Sequence, residues 1–180
     1  DNALASLPVV NSGANITRIE VWVVNQQANT QDVRNIMAFT DLGENSQYIA
    51  SDYNNSSLIS PGQLQNPDNE NNNLFNVVSN NQNILDFSNA NAAIQALGYG
   101  MRQGIHYERV GNARKLSPSE YSYNARLGFI SLKQSLNNAE VLAVSYEYTL
   151  NGQTYQVGTL SQDGIAAPQA LMLKMLKSSI

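Results

Sequence analysis

His106 is the single imidazole in this 180-residue chain, and no cysteine is present. Disulfides, thiolate zinc sites, iron–sulfur clusters and cysteine nucleophiles are therefore out of reach. One histidine also rules out most multi-histidine metal sites. Glu108 lies two residues beyond His106, on the same face if the segment is a strand. A surface pair is the ordinary outcome of that spacing. A hydrolase would need a pocket joining His106 to a serine and a carboxylate, and no GxSxG elbow marks such a serine. Gly98-Tyr99-Gly100-Met101-Arg102-Gln103-Gly104 has the glycines of a phosphate-binding loop in the wrong context. It follows an expected helix rather than a strand, and no apolar-periodic helix succeeds it, so a turn is expected. Asp68, Glu70 and Asn72 alternate oxygen ligands as calcium loops do. The sixth-position glycine and the closing glutamate are missing, so the reading is a solvated loop. No metal, cofactor or catalytic residue is assigned.

Two further groups could make contacts. Trp22 and the tyrosines at 107, 121 and 123 would form a sugar-stacking surface if exposed together, although core packing is the commoner use of such rings. Around Tyr107-Glu108-Arg109-Val110 and Ala113-Arg114-Lys115-Leu116-Ser117-Pro118-Ser119-Glu120-Tyr121, three basic residues gather, with Glu108 and Glu120 flanking them as in a charge-compensated surface turn. Trp22, Arg109, Arg114, Lys115 and Tyr121 are the candidate interaction surface.

The elements that must position these residues read as a β-rich chain. Charged residues are only 13% of the sequence, against about 25% in ordinary proteins, while 25 Asn and 14 Gln fill the gap. A net charge of −4 and a pI near 4.8 disfavour nucleic acid and anionic membranes as partners. The sequence has no apolar run of the roughly 18 residues that a membrane-crossing helix needs. It begins at Asp1 without a basic or apolar leader, as a processed or excised piece of something longer would.

Alternation and β-branched content predict strands at Ile16–Val24, Arg34–Leu42, Leu127–Lys133, Val141–Leu150 and Gln153–Leu160, with a short helix as the alternative for the second. Asn151-Gly152 between alternating runs predicts a type I′ hairpin pairing Leu150 with Gln153, Tyr148 with Tyr155, Tyr146 with Val157 and Val144 with Thr159. Ser145, Glu147, Thr149, Thr154 and Gln156 then fall on its wet face. Asn89 and Gly98 would cap a helix over Ala90–Leu97. Residues 66–73 hold no apolar side chain and read as a loop tip or a disordered stretch. Ala170–Lys177 fits a helix or a strand. The expected fold is α+β and β-rich: an antiparallel sheet with a C-terminal β-hairpin and one or two short helices. It comprises an extended lead-in over 1–15 and one domain over 16–180, with a variable Asn-rich loop region at 45–88.

Read in order, Arg18-Ile19-Glu20-Val21-Trp22-Val23, Ala113-Arg114-Lys115-Leu116-Ser117, Glu120-Tyr121, Leu127-Gly128-Phe129-Ile130-Ser131-Leu132, Val141 to Thr149 and Tyr155-Gln156-Val157-Gly158 resemble the SprA/Sov family. These are very large outer-membrane proteins of Bacteroidetes linked to gliding motility and type 9 secretion. Asn35-Ile36 and Asp41-Leu42-Gly43-Glu44 fit the same pattern, and residues 45–88 match least. The resemblance implies a non-catalytic part of a giant β-barrel translocon, with other secretion and motility components as partners. The chain lacks the serial lipid-facing alternation and aromatic girdles of barrel walls. It would be a soluble segment inserted between barrel strands, facing the periplasm or the cell surface. The alternative is a secreted or surface carbohydrate-binding module.

Overall fold

Asn151 and Gly152 both adopt left-handed backbone, with φ of 51° and 76°, so the turn is the type I′ that their sequence predicts. The strands it joins, β6 (Leu142–Leu150) and β7 (Gln153–Val157), pair Leu150 with Gln153, Tyr148 with Tyr155 and Tyr146 with Val157. The expected Val144–Thr159 pair does not form. Gly158 turns away at φ 78°, where a Cβ would stand 3.0 Å from the Met172 carbonyl. Thr159 instead donates its N–H to Met172 O, and Val144 faces Lys174. The expected wet face is interrupted too, because Ser145 packs against Gly158 and is fully buried.

The computed structural model describes residues 12–26, 31–59 and 66–180. Residues 1–11 of the expected lead-in lie outside them, and Ala14 and Asn15 already belong to β1 (Ala14–Val23). In chain order follow β2 (Val33–Phe39), three short helices α1 (Leu74–Ser79), α2 (Gln82–Leu85) and α3 (Ala90–Ala96), then β3 (Tyr107–Lys115). A small hairpin, β4 (Tyr121–Asn124) with β5 (Phe129–Leu132), precedes β6 and β7, and β8 (Leu171–Lys177) comes last. The fold is α+β and β-rich, with a mostly antiparallel sheet.

The six-stranded sheet runs β1-β3-β2-β8-β6-β7, and β1 also pairs with β6 from Ala14–Leu150 to Val23–Leu142. Five strands therefore close into a ring, β1-β3-β2-β8-β6, with β7 attached outside it. Only the β2–β8 contact is parallel. Ring closure removes the exposed edges of an open sheet. It also gives each strand an inside and an outside.

That geometry explains the apolar pattern. Inside the ring lie Trp22 from β1, Ile36 and Ala38 from β2, Val110 and Ala113 from β3, Ala143 from β6, and Leu171, Leu173 and Met175 from β8. The alternate residues of β2 and β8, Met37, Phe39 and Met172, point outward beneath α1–α3, where Leu74, Val78, Ile84 and Ile94 cover them. Strands buried on both faces lose hydrophobic alternation. This is why Ala170–Lys177 reads ambiguously, and the structure settles it as strand. Val21, Val23 and Val144 face outward under the β4–β5 hairpin, against Tyr121, Ile130 and Leu132.

Three expectations are corrected here. The predicted strand Leu127–Lys133 shortens to Phe129–Leu132 and pairs with β4, outside the ring. Of the run 107–121, read as a surface turn, residues Tyr107–Lys115 form a ring strand, and the turn is confined to 117–120. Asn89 does not cap α3 through its side chain, which donates to Asp86 Oδ2 instead; Gly98 does close the helix at φ 74°.

Finally, residues 66–73 are an ordered strap. Asn72 is 2% exposed, donates from Nδ2 to the Asp41 and Glu44 carbonyls at 2.8 Å each, and accepts from Leu74 N. Asn71, fully buried, donates to Gly43 O. Asn69 takes the Gly158 N–H on Oδ1, and its own N–H meets Gln156 O. Buried amides replace apolar anchors, because their donors, and the acceptors of Asn69 and Asn72, find backbone partners; the Asn71 Oδ1 is left without one.

Two outcomes follow for stability, both read by urea unfolding. Trp22→Ala should cost about 3–5 kcal/mol, the range for emptying a large aromatic site in a core. Asn72→Ala should cost about 1–3 kcal/mol by stranding buried backbone groups, far more than an alanine in a disordered loop would.

Candidate interaction site

His106 is 3% exposed, and both of its ring nitrogens are engaged. Nδ1 accepts the Arg102 N–H at 2.9 Å, which leaves the proton on Nε2 to be donated to Asp52 Oδ1 at 2.8 Å. The Arg102 guanidinium meets the other Asp52 oxygen. Tyr53 tilts its ring against the imidazole at 4.8 Å and donates its hydroxyl to Asp41 Oδ2 at 2.9 Å. Burial pushes the Tyr53 phenol well above its usual range, and the Asp41 charge pushes the same way. The hydrogen bond from His106 holds the Asp52 carboxyl below its usual range. The imidazole thus fastens residues 50–53 to the 102–106 turn, with no nitrogen left for an incoming group. Glu108 is not its partner: the Glu108 carboxylate takes the Ser179 N–H and hydroxyl at the C-terminal end.

The five residues expected as an interaction surface do not share an exposed face. Ring closure turns the Trp22 side of β1 inward, leaving Trp22 1% exposed, and the β4–β5 packing leaves Tyr121 at 8%. Tyr107 is equally buried, so of the proposed aromatic platform only Tyr123 reaches solvent. Arg109 lies over the Phe87 ring at 3.9 Å and donates to Phe87 O. Arg114 makes a two-pronged pair with Glu120 at 2.9 and 2.8 Å, and Glu120 also accepts the Ser117 N–H. Lys115 approaches Glu20 at 3.7 Å. Asp68, Glu70 and Asn72 do not converge on a cation: Asp68 accepts the Glu70 and Gln156 N–H groups, and Asn72 points into the protein. Among the described residues no three His, Asp or Glu side chains come together closely enough to hold a metal ion.

Two concave surfaces stand out among the described residues. One is an apolar groove of about 620 Å³ between the β4–β5 hairpin and the outer face of β1 and β6. Ile16, Ile19, Phe129, Ile130, Tyr146 and Leu176 line it, with Phe129 53% and Leu176 50% exposed at its rim. The Lys174–Glu44 pair also borders it. The other is a polar cleft of about 1030 Å³ between β7 and the segment 68–80. Sequence reading found neither, because each joins residues distant in the chain. The one local signal was the apolar LGFISLK run, which carries Phe129 at a position that its hairpin leaves half bare.

No family model matches the sequence, and no curated protein matches it.

The Arg114–Glu120 pair generates a pH prediction. Its hydrogen bond to Arg114, before all other causes, lowers the Glu120 carboxyl from the ordinary 4.5. A depressed carboxylate contributes stability above its unfolded value and loses it as pH falls through the folded one. Between about pH 6 and pH 2, the wild-type urea midpoint should therefore fall more steeply than that of Glu120→Gln. Equal slopes would show that the pair is not formed in solution.

Proposed function

We propose that this chain is a non-catalytic domain with a structural and protein-interaction role in a large outer-membrane secretion and gliding-motility protein of the SprA/Sov type. The observation that carries the interaction role is the apolar groove with its half-exposed rim of Phe129 and Leu176. A concave apolar surface bordered by polar groups is the usual mark of a docking site. The parent protein comes from the sequence resemblance alone. The residues that carry it fall on β1, the end of β3, β4, β5, β6 and β7 and so belong to the framework and the groove.

The fold supports a segment inserted beside a membrane barrel rather than a piece of its wall. The ring is filled with side chains, and its outer faces are covered by α1–α3 and by the β4–β5 hairpin. Among the described residues no helix is long and apolar enough to cross a membrane. The domain would face the periplasm or the cell surface and contact other secretion or motility components. The carbohydrate-binding alternative loses the aromatic platform it required, because Trp22, Tyr107 and Tyr121 are buried.

The test is export. An in-frame deletion of this segment from its parent gene should abolish secretion of cargo while the parent protein stays in the outer membrane. Phe129→Glu, at an exposed site that should spare folding, should reduce export in the same direction. Normal export from both strains would remove the proposal.

A further inference from the structure

β7 has a half-occupied edge. The hairpin alternates hydrogen-bonded and open pairs, and Leu150–Gln153, flanking the two-residue turn, is hydrogen-bonded. Gln156, three positions further on, therefore directs its N–H and C=O away from β6. The contacts agree: Gln156 N–H is taken by Asp68 Oδ2 at 3.2 Å, and its carbonyl by Asn69 N at 2.8 Å. The register between β6 and β7 is unbroken, so Thr154 points its main-chain groups the same way. The strap stops at Gln156. Among the described residues nothing pairs with the outward N–H and C=O of Thr154, which is exposed and faces the polar cleft.

The cleft is also one-signed. Asp68, Glu70 and Glu147 line it, and no Lys or Arg does. Glu147 is partly balanced by Arg18 at 3.9 Å and accepts the Thr17 hydroxyl. Glu70 has no partner for its carboxylate among the described residues. We propose that this cleft binds an extended, lysine- or arginine-bearing peptide segment, which continues the line of the strap and pairs its backbone with Thr154. Main-chain pairing supplies affinity in such strand addition, and alternate side chains supply selectivity. Opposite charge steers the encounter. The cleft shares no lining residue with the apolar groove, so this inference stands apart from the proposed function.

The experiment uses the isotope-labelled chain and an acetylated, amidated hexapeptide alternating threonine and lysine. Saturable binding should shift the Thr154 and Asn69 amide resonances. The same peptide with alternate backbone nitrogens methylated should bind about tenfold more weakly, and the glutamate-for-lysine peptide should not bind. Thr154→Pro removes an outward donor without touching the β6 ladder, a position where an edge strand tolerates proline. It should weaken binding about five- to tenfold while the Tyr148 and Tyr155 resonances stay in place. Glu70→Gln should weaken it about two- to threefold at low salt. The proposal fails if the lysine peptide leaves Thr154 unshifted. It also fails if the methylated or glutamate peptide binds as well, or if cellohexaose occupies the cleft and the peptide does not. Should Thr154→Pro fail to fold, the methylated peptide against the wild-type chain decides the matter.

Discussion

The insertion of β8 between β2 and β6 is the contact on which the rest of the structure depends. β8 runs parallel to β2 and antiparallel to β6, and it completes the ring that β1 closes from the other side. Its residues Leu171, Met172 and Leu173 are at most 1% exposed, so it contributes to the interior and to the helix-covered face at once. Without β8, β2 and β6 would each carry an open edge, and the interior around Trp22 would be open to water. A parallel pair joined through most of the chain is a long-range contact, costly in loop entropy and repaid only when both faces are covered.

Amides do in this protein what charges and apolar anchors do elsewhere. Asn69, Asn71 and Asn72 tie the 66–73 strap to the turn at 41–44 and to β7 by side-chain bonds to backbone groups. A neutral amide carries both donors and an acceptor, so it can satisfy such groups without the desolvation penalty of an ion. The few charges are largely engaged in the same way. Arg102 and His106 hold Asp52, Arg114 holds Glu120, Lys174 holds Glu44 and Glu108 holds Ser179. The titratable centre around His106 is thus a clasp between two loops.

The surfaces left free have opposite characters. The groove under β4–β5 is apolar at its rim, and the cleft beside β7 is acidic and rich in amides with one strip of unpaired backbone. They flank the same strap, since Pro67 borders the groove and Asp68 the cleft. Tyr148 reinforces that divide by donating its hydroxyl to Pro67 O at 2.6 Å and stacking on Tyr155. The strap that orders the fold therefore also separates two chemically distinct concave surfaces.

The local chemistry of the sequence determined the β6–β7 hairpin, its turn and its register as far as Val157, along with the β-rich class. Those features rest on backbone preferences of Asn-Gly and on alternation within one strand pair. It also determined that β2 is apolar on both sides. Only the tertiary structure decided that β8 is a strand, that the sheet closes, and that Trp22 and Tyr121 are core residues rather than a surface. Only it placed His106 against Asp52 rather than Glu108, and made an Asn-rich stretch a buried strap. The reason is physical. Which face of a strand is inside depends on what pairs with its far edge, and whether an amide is solvated or buried depends on backbone groups that approach from elsewhere in the chain.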